Sequence, residues 1–353
     1  MRVAIITDTH FGARNDNQNF SEYFFKFYEE HFFPYLKENN ITHCLHLGDI
    51  MDRRKFVSYR TAKNFRERFI KPFSDLGIQL HILVGNHDTY FKNTNEVNSI
   101  TELIGTRYDN VHIYPEAKEI ELDGLPVMLV PWINASNHAK TMSAMDKSKA
   151  DILMGHLEVQ GFEMIKGVHC ENGYAKDLFR KFDTVFSGHF HIKSDDGHIY
   201  YLGNPYEIYW NDCGDKKGFH IFDTETRQLD RIVNPLTIYK KIYYDDTTTN
   251  YKDHDITQYK ENYVKVIVVN KKDLYQFDQF VDKLLRADCY EVKVIEDFSD
   301  LDANTVSDDI VENTQDTMTI LNLYIDDIET SLDKGRLKNL QRQIYMEAQD
   351  LQI

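Results

Sequence analysis

Apolar runs rich in β-branched residues alternate along this chain with longer stretches in which apolar side chains recur every three or four residues. The first pattern reads as a buried strand and the second as an amphipathic helix, so their alternation predicts an α/β architecture. The strands expected are Arg2 to Thr7, His43 to Leu47, Gln79 to Val84, Val127 to Pro131, Asp151 to Met154 and Thr184 to Ser187. The helices expected are Phe20 to Asn39, Tyr59 to Leu76, Asn95 to Ile104 and Ser136 to Lys147. Ser58 supplies an N-cap for the second of these, and Gly77 a residue able to stop it. Shorter strands follow at His198 to Leu202, Gly218 to Phe222 and Gln228 to Val233. Two packed sheets with helices outside would account for the set.

A polar, turn-like stretch from Tyr244 to Asp255 interrupts the pattern. Beyond it, Tyr263 to Val269, Leu274 to Arg286 and Tyr290 to Ile295 read as strand, helix and strand, a small βαβ module within residues 256–296. Residues 297–316 are acidic and poor in large apolar side chains, the composition of a linker. In 317–353, Leu321, Ile325 and Ile328, then Leu337, Leu340 and Ile344, fall at roughly helical spacing. An apolar stripe beyond a linker is suited to fill a partner's groove.

At 353 residues the chain can build one large domain and one or two small ones. No apolar run approaches the ~20 residues that cross a bilayer. Met1 to Ile6 leads straight into Thr7 and Asp8, and reads as a first strand, not a leader. Cys44, Cys170, Cys213 and Cys289 form no Cys-x-x-Cys pair, which fits a reducing cytoplasm and argues against a zinc knuckle or a disulfide frame. The net charge is −16, and Glu296 to Ile353 alone holds fourteen acids and four bases. Acidity of this order argues against a protein that reads DNA through a basic face. It leaves room for a metal-dependent nuclease that shares its DNA with a partner.

The chemistry lies at the ends of the strands. Asp8-Thr9-His10, Gly48-Asp49, Gly85-Asn86-His87-Asp88, Gly155-His156 and Gly188-His189-Phe190-His191 each follow an apolar run. Asp, Asn and His are the side chains that hold hard to borderline divalent metals. In an open α/β sheet, loops beyond the carboxyl ends of strands converge on one crevice. Two cations ~3.5–4 Å apart need a bridging anion, and Asp49 is the candidate. Asp8, His10 and one of His189 and His191 complete one metal; Asn86, His156 and the other histidine complete the second. The mixed donor set suits Mn²⁺, Fe²⁺ or Zn²⁺ better than Mg²⁺. His87 is placed for proton transfer to a leaving oxygen, with Asp88 as the carboxylate that orients it.

This train of motifs, D-x-H, G-D, G-N-H-D, H and G-H-x-H, resembles the calcineurin-like metallophosphoesterase superfamily at every element from Asp8 to His191. Gly48-Asp49-Ile50-Met51-Asp52 and the layout beyond residue 240 look most like the nuclease subunit of SbcCD-type and Rad50-partnered recombination complexes. The resemblance implies a two-sheet metallophosphoesterase sandwich over residues 1–240, flanked by helices, with a DNA-contacting α/β cap at 256–296. It further implies Mn²⁺-dependent exonuclease and endonuclease activity on DNA, a homodimer, and a partner ABC-type ATPase bound through the C-terminal helices. Many members carry a histidine where this chain has Asp52, so a DNA-orienting role does not carry over to that position.

Rival readings on the same scaffold are a phosphomonoesterase or small-substrate phosphodiesterase, and a non-catalytic interaction scaffold. The cap and tail argue against the first, and the complete ligand set against the second. The densest basic stretch, Arg53-Arg54-Lys55, follows the Asp49 loop and is a candidate for holding a DNA backbone, with a solvated helix start as the plain alternative. The aromatic block from Phe20 to Tyr35 reads as core and dimer contact. His43, His46, His81, His112 and His220 read as structural.

Overall fold

Fourteen apolar side chains drawn from two six-stranded sheets pack face to face, among them Val3, Ile5, Leu45 and Leu83 against Leu129, Ile152, Met154 and Phe186. This is a computed structural model, and it describes residues 1–165, 168–296, 324–325, 330 and 332–338. The first sheet runs Leu229–Val233, Gly218–Asp223, Arg2–Ile6, His43–His46, Gln79–Leu83, Val111–Tyr114. Its last four strands are parallel, with Ala4 opposite Cys44 and Cys44 opposite Leu80. The second runs Ser194–Asp195, Ile199–Tyr201, Thr184–Gly188, Ile152–His156, Leu125–Val130, Lys118–Leu122. Its middle four strands are parallel as well. Val111–Tyr114 and Lys118–Leu122 are half-exposed edge strands whose polar residues hid them from the apolar pattern.

The outer face of the first sheet is covered by two long helical stretches, Gln18–Glu38 and Tyr59–Asp75. Each contains a turn of wider π geometry, Tyr28–Phe32 and Phe65–Ile70, and each such turn is followed by a proline, Pro34 and Pro72. Proline donates no hydrogen bond, and its ring crowds the carbonyl four residues back. The helix therefore loosens ahead of it: Phe33 N–H reaches Tyr28 O and Lys71 N–H reaches Arg66 O, five residues back. The aromatic block is core: Phe20, Phe24, Phe25, Phe27, Tyr28 and Phe32 are all buried. Ser58 accepts from Thr61 N–H at 3.2 Å, and Gly77 ends the helix at φ +67°.

Two helices begin later than the sequence pattern suggests. Ser99–Ile104 is capped by Asn98, because the Asn95 amide is engaged with Pro115 O and Trp132 O. His138–Lys147 starts after Ser136, whose hydroxyl is bonded to Asn134.

Residues Tyr209–Cys213 and those from Tyr239 onward form a second compact unit. It holds a parallel sheet, Tyr239–Asp245, Tyr263–Asn270, Glu291–Ile295, with helix Leu274–Leu285 packed on Val264, Val266 and Val268 through Phe277, Phe280 and Leu284. The sheet thus takes in a strand before residue 256, where the expected module began. Tyr239 to Asp245 holds one aliphatic residue, Ile242, among lysines and tyrosines, which disguised it. Residues 297–316, with Leu321, Ile328, Leu340 and Ile344, lie outside the described residues. Ile325 is buried, and 334–338 form one helical turn.

Candidate metal centre

The parallel strands of both sheets end at one edge, and the five motif segments occupy that edge. Asp8 and His10 follow Arg2–Ile6, Asp49 follows His43–His46, and Asn86 follows Gln79–Leu83. His156 closes its own strand, while His189 and His191 follow Thr184–Gly188. Asp8, His10, Asp49 and His189 hold left-handed backbone, with φ of 52°, 44°, 55° and 87°. Four non-glycine residues in that region at one place is strain of the kind retained at functional sites. Gly48, at φ +100°, and Gly85 make the room: a Cβ on Gly48 would lie 2.6 Å from His156 Nδ1, and one on Gly85 2.2 Å from Asp49 Oδ1.

The side chains meet as two triads. Ligand atoms of Asp8, His10 and His191 lie within 4.8 Å of one another, and so do those of Asp49, His156 and His189. The pairing of the two histidines, open in the sequence, is therefore His191 with Asp8 and His189 with Asp49. Asp49 Oδ2 stands between the triads, 3.3 Å from His156 Nε2 and 3.9 Å from His10 Nε2. Its Oδ1 accepts the His87 N–H at 2.8 Å. His156 directs Nδ1 to the Leu47 carbonyl at 2.8 Å, which turns Nε2 toward Asn86 Oδ1, also at 2.8 Å. Asp8 accepts from Thr7 Oγ1 at 2.6 Å and from the His189 N–H.

This donor set fits a pair of divalent cations. Asp49 Oδ2, His10 Nδ1 and His189 Nδ1 are buried without a hydrogen-bond partner. His10 Nε2 faces His191 Nε2 at 3.0 Å, so one proton or one cation must stand between two lone pairs. Burial, with His87 and His191 adding, drives His10 well below the usual histidine range; burial, reinforced by His156, does the same to His189. Burial pushes Asp8 up to about 7, and Asp49 adds to the shift. Burial also opposes charge on Asp49, but His156, His87 and His10 outweigh it and hold the carboxylate ionised. His156 is pushed up to about 9 because Asp49 and Asp8 overcome its burial. A cation would supply the positive charge that this pocket otherwise borrows from a proton on His156.

His87 and Asp88 separate. Asp88 Oδ1 accepts from the N–H groups of Ile50 and Met51 at 3.0 and 2.9 Å, and Oδ2 from Gly85 at 2.9 Å. It ties the Asp49 loop to its own loop instead of orienting the imidazole. His87 Nδ1 meets the Asp52 carbonyl at 2.5 Å, and its ring stands edge-on to His10 at 4.8 Å. Asp52 thus has a place the motif did not disclose: its backbone aims His87, and its carboxylate lies 3.6 Å from His10 Nδ1.

Other supporting residues carried weaker signals. Trp132, whose ring is 5.2 Å from His189, sits just beyond an apolar strand, as the ligands do. His46 accepts the Gly48 N–H and bonds to Thr9, while buried Lys217 donates to the His191 carbonyl at 3.1 Å; neither position has a local pattern to mark it. Arg53 stacks on Phe56, Arg54 donates to Thr89 Oγ1 at 3.2 Å, and Lys55 is exposed.

Residues 1–193 match the calcineurin-like phosphoesterase family. The chain belongs to that family. As a member it is a hydrolase of phosphate esters, and the fold implies two divalent metals. Over 319 residues it is 33% identical to Exonuclease subunit 1 of Enterobacteria phage T4, which covers 89% of this chain and 90% of that protein. Its likeness to the T-even bacteriophage nuclease subunit follows from that match, and the bond hydrolysed is a phosphodiester. It is also 25% identical over 187 residues to an SbcCD nuclease subunit of Staphylococcus epidermidis, across 44% of this chain and 48% of that one. Among solved structures, an archaeal phosphodiesterase aligns with a TM-score of 0.33 at 14% identity, over 66% of this chain and 99% of its own. No helix among the described residues is long and apolar enough to cross a membrane.

Proposed function

We propose that this phosphoesterase is the nuclease subunit of a DNA recombination and repair complex, cutting DNA as exonuclease and endonuclease with Mn²⁺ at a two-metal centre. The observation that carries the reading is Asp49 Oδ2, buried in one donor triad at 3.3 Å from His156 and 3.9 Å from His10 of the other. Asp8, His10 and His191 would hold one ion; His156, His189 and Asn86 would hold the other; Asp49 would serve both. When bound, such a pair supplies Lewis-acid charge and a nucleophile usable at neutral pH.

The chain's own residues supply position and protons. His87 is part-buried at the pocket's rim, with Nδ1 fixed on the Asp52 carbonyl, so its Nε2 is the nitrogen that hands a proton to the leaving 3′-oxygen. Trp132 walls one side and keeps the imidazoles from turning. Asp88 and Lys217 hold the two loops that carry Asp49 and His191. The match to a phage exonuclease subunit along nine-tenths of its length supports DNA as substrate and a partner subunit, which by the motif resemblance would be an ABC-type ATPase. The apolar stripe within 317–353 is the segment proposed to bind that ATPase.

With Mn²⁺, the purified chain is expected to degrade linear duplex DNA and to leave p-nitrophenyl phosphate nearly untouched. The reverse preference would make it a phosphomonoesterase. Removing 317–353 should spare basal cleavage and abolish pull-down of the ATPase; retained pull-down would refute the tail assignment.

A further inference from the structure

Four aromatic rings stand exposed on the segments that follow Asp49 and His87, where the core chemistry gives them no reason to be. Among the described residues of the first unit, the exposed large apolar side chains are Phe56, Tyr59, Tyr90, Phe91, Val97 and Val233. Five of these six lie on two loops or, for Tyr59, at the first residue of the helix that follows, and both loops spring from metal-centre segments: 52–58 follows Asp49, and 89–97 follows Asn86 and His87. The loops are tied together at their bases. Arg54 donates to Thr89 Oγ1, Thr89 donates to the Asn86 carbonyl at 3.0 Å, and the Asp52 carbonyl meets His87. Tyr59 is 96% exposed, and Phe56 is 58% exposed under the Arg53 guanidinium at 4.8 Å. Tyr90 and Phe91 form an edge-to-face pair with centroids 4.7 Å apart.

Charge decides what these rings face. From Arg53 to Lys63 the chain carries five basic residues and no acid, in a protein whose net charge is −16. The second loop carries Lys92 directly beside Phe91 and one acid, Glu96, at its far end. Rings interleaved with cations are the arrangement that takes nucleic-acid strands, the cations on phosphates and the rings on base faces. In an intact duplex the base faces are occupied by one another. Exposed rings can therefore stack only on bases that are unpaired.

We propose that Phe56, Tyr59, Tyr90 and Phe91 form a base-stacking collar that captures unpaired nucleotides at a DNA end and delivers the adjoining phosphodiester to the metal centre. The proposal rests on the nuclease reading and names its substrate: a frayed or single-stranded end in preference to a blunt one. Stacking on one aromatic ring typically raises affinity about 5- to 100-fold per base.

The test compares the full chain with two double variants, Phe56→Ala/Tyr59→Ala and Tyr90→Ala/Phe91→Ala. Binding to a labelled single strand, a duplex with frayed ends and a blunt duplex is measured in chelator, and cleavage of each is then measured with Mn²⁺. The wild type should prefer the single strand and the frayed end, and each double variant should lose about tenfold or more in affinity for those two. Phe56→Trp and Phe91→Trp should retain binding while Phe56→Leu and Phe91→Leu should not, since leucine keeps apolar bulk without a π face. Unchanged affinity in the alanine variants would overturn the collar. So would a change from dimer to monomer with DNA affinity intact, which would make the rings a contact between two copies of the chain. If the wild type neither binds nor cuts any DNA, the nuclease reading itself fails; if it cuts and the variants cut alike, only the collar fails.

Discussion

Two groups of histidines, one at the carboxyl ends of Arg2–Ile6, Ile152–His156 and Thr184–Gly188 and one on His43–His46, Gln79–Leu83 and Val111–Tyr114, could hardly differ more in chemistry. At the carboxyl ends, His10, His156, His189 and His191 surround Asp8 and Asp49, with His10, His189 and both carboxylates on left-handed backbone. Toward the opposite end of the first sheet, His43, His81 and His112 stack across three parallel strands, with His81 opposite His112 in register and centroids 4.9 Å apart. The bonds of that rung go to neutral partners: Thr42 for His43, the Tyr114 hydroxyl for His81 and Gln79 for His112. Imidazole supply is similar at both ends. The difference is two buried carboxylates, room made by glycine, and strained turns that aim ring nitrogens at one point. Histidines count as ligands where those three coincide, and otherwise they are packing.

The sharpest way to break this contrast is to remove Asp49, the carboxylate of one triad that also faces His10 of the other. Asp49→Ala should lower metal-dependent DNA cleavage by at least ~10³-fold and reduce bound metal from two ions per chain to one or none, read by elemental analysis of the dialysed protein. His81→Gln, at the other end, should leave turnover within about twofold. Comparable losses from the two substitutions would dissolve the distinction. Next in size is His87→Asn, which should cost about 10²–10⁴ in kcat while leaving metal content intact. Loss of metal with it would make His87 a ligand instead of a proton carrier.

Much of the metal end was legible because each ligand sits within a few residues of an apolar run, and Asp49, Asn86, His156 and His189 each directly follow a glycine, so that strand, turn and donor could be read together. The allocation of His189 and His191 was not legible, since residues two apart leave a turn in directions that only the folded loop sets. Asp88 was misread for a related reason. Adjacency to His87 suggested a pair, whereas the carboxylate turns inward to three N–H groups on two loops. Asp88→Ala would leave those buried donors unpaired, at a cost of roughly 3 kcal/mol or more in stability measured by denaturant unfolding. A residue that merely steered His87 would alter kcat and spare the unfolding midpoint. The histidine rung escaped notice because its members are far apart in sequence and each, taken singly, is ordinary; strand register joins His81 to His112, and His43 stacks on His81 from a diagonal position.

The smallest expected effect tests the rung itself. Burial, with His112 and His43 adding, lowers His81 to about 3, and burial with His112 lowers His43. In the unfolded chain a histidine titrates near 6.5. Between those values the unfolded state binds a proton that the folded state refuses, so stability is complete above about pH 6.5 and is lost as pH falls. For His81 the loss from pH 6.5 to 5.5 is at most about 1 kcal/mol, since the ring is only partly screened from water. His46 and His220, also held near 3, add to the acid sensitivity of the whole chain. Comparing wild type with His81→Gln isolates the rung: the variant's unfolding midpoint should fall less steeply over that interval, because glutamine keeps a polar contact with Tyr114 and has nothing to protonate. Parallel slopes would mean that His81 takes up its proton without unfolding, and the rung would then be as tolerant of charge as the metal end is dependent on it.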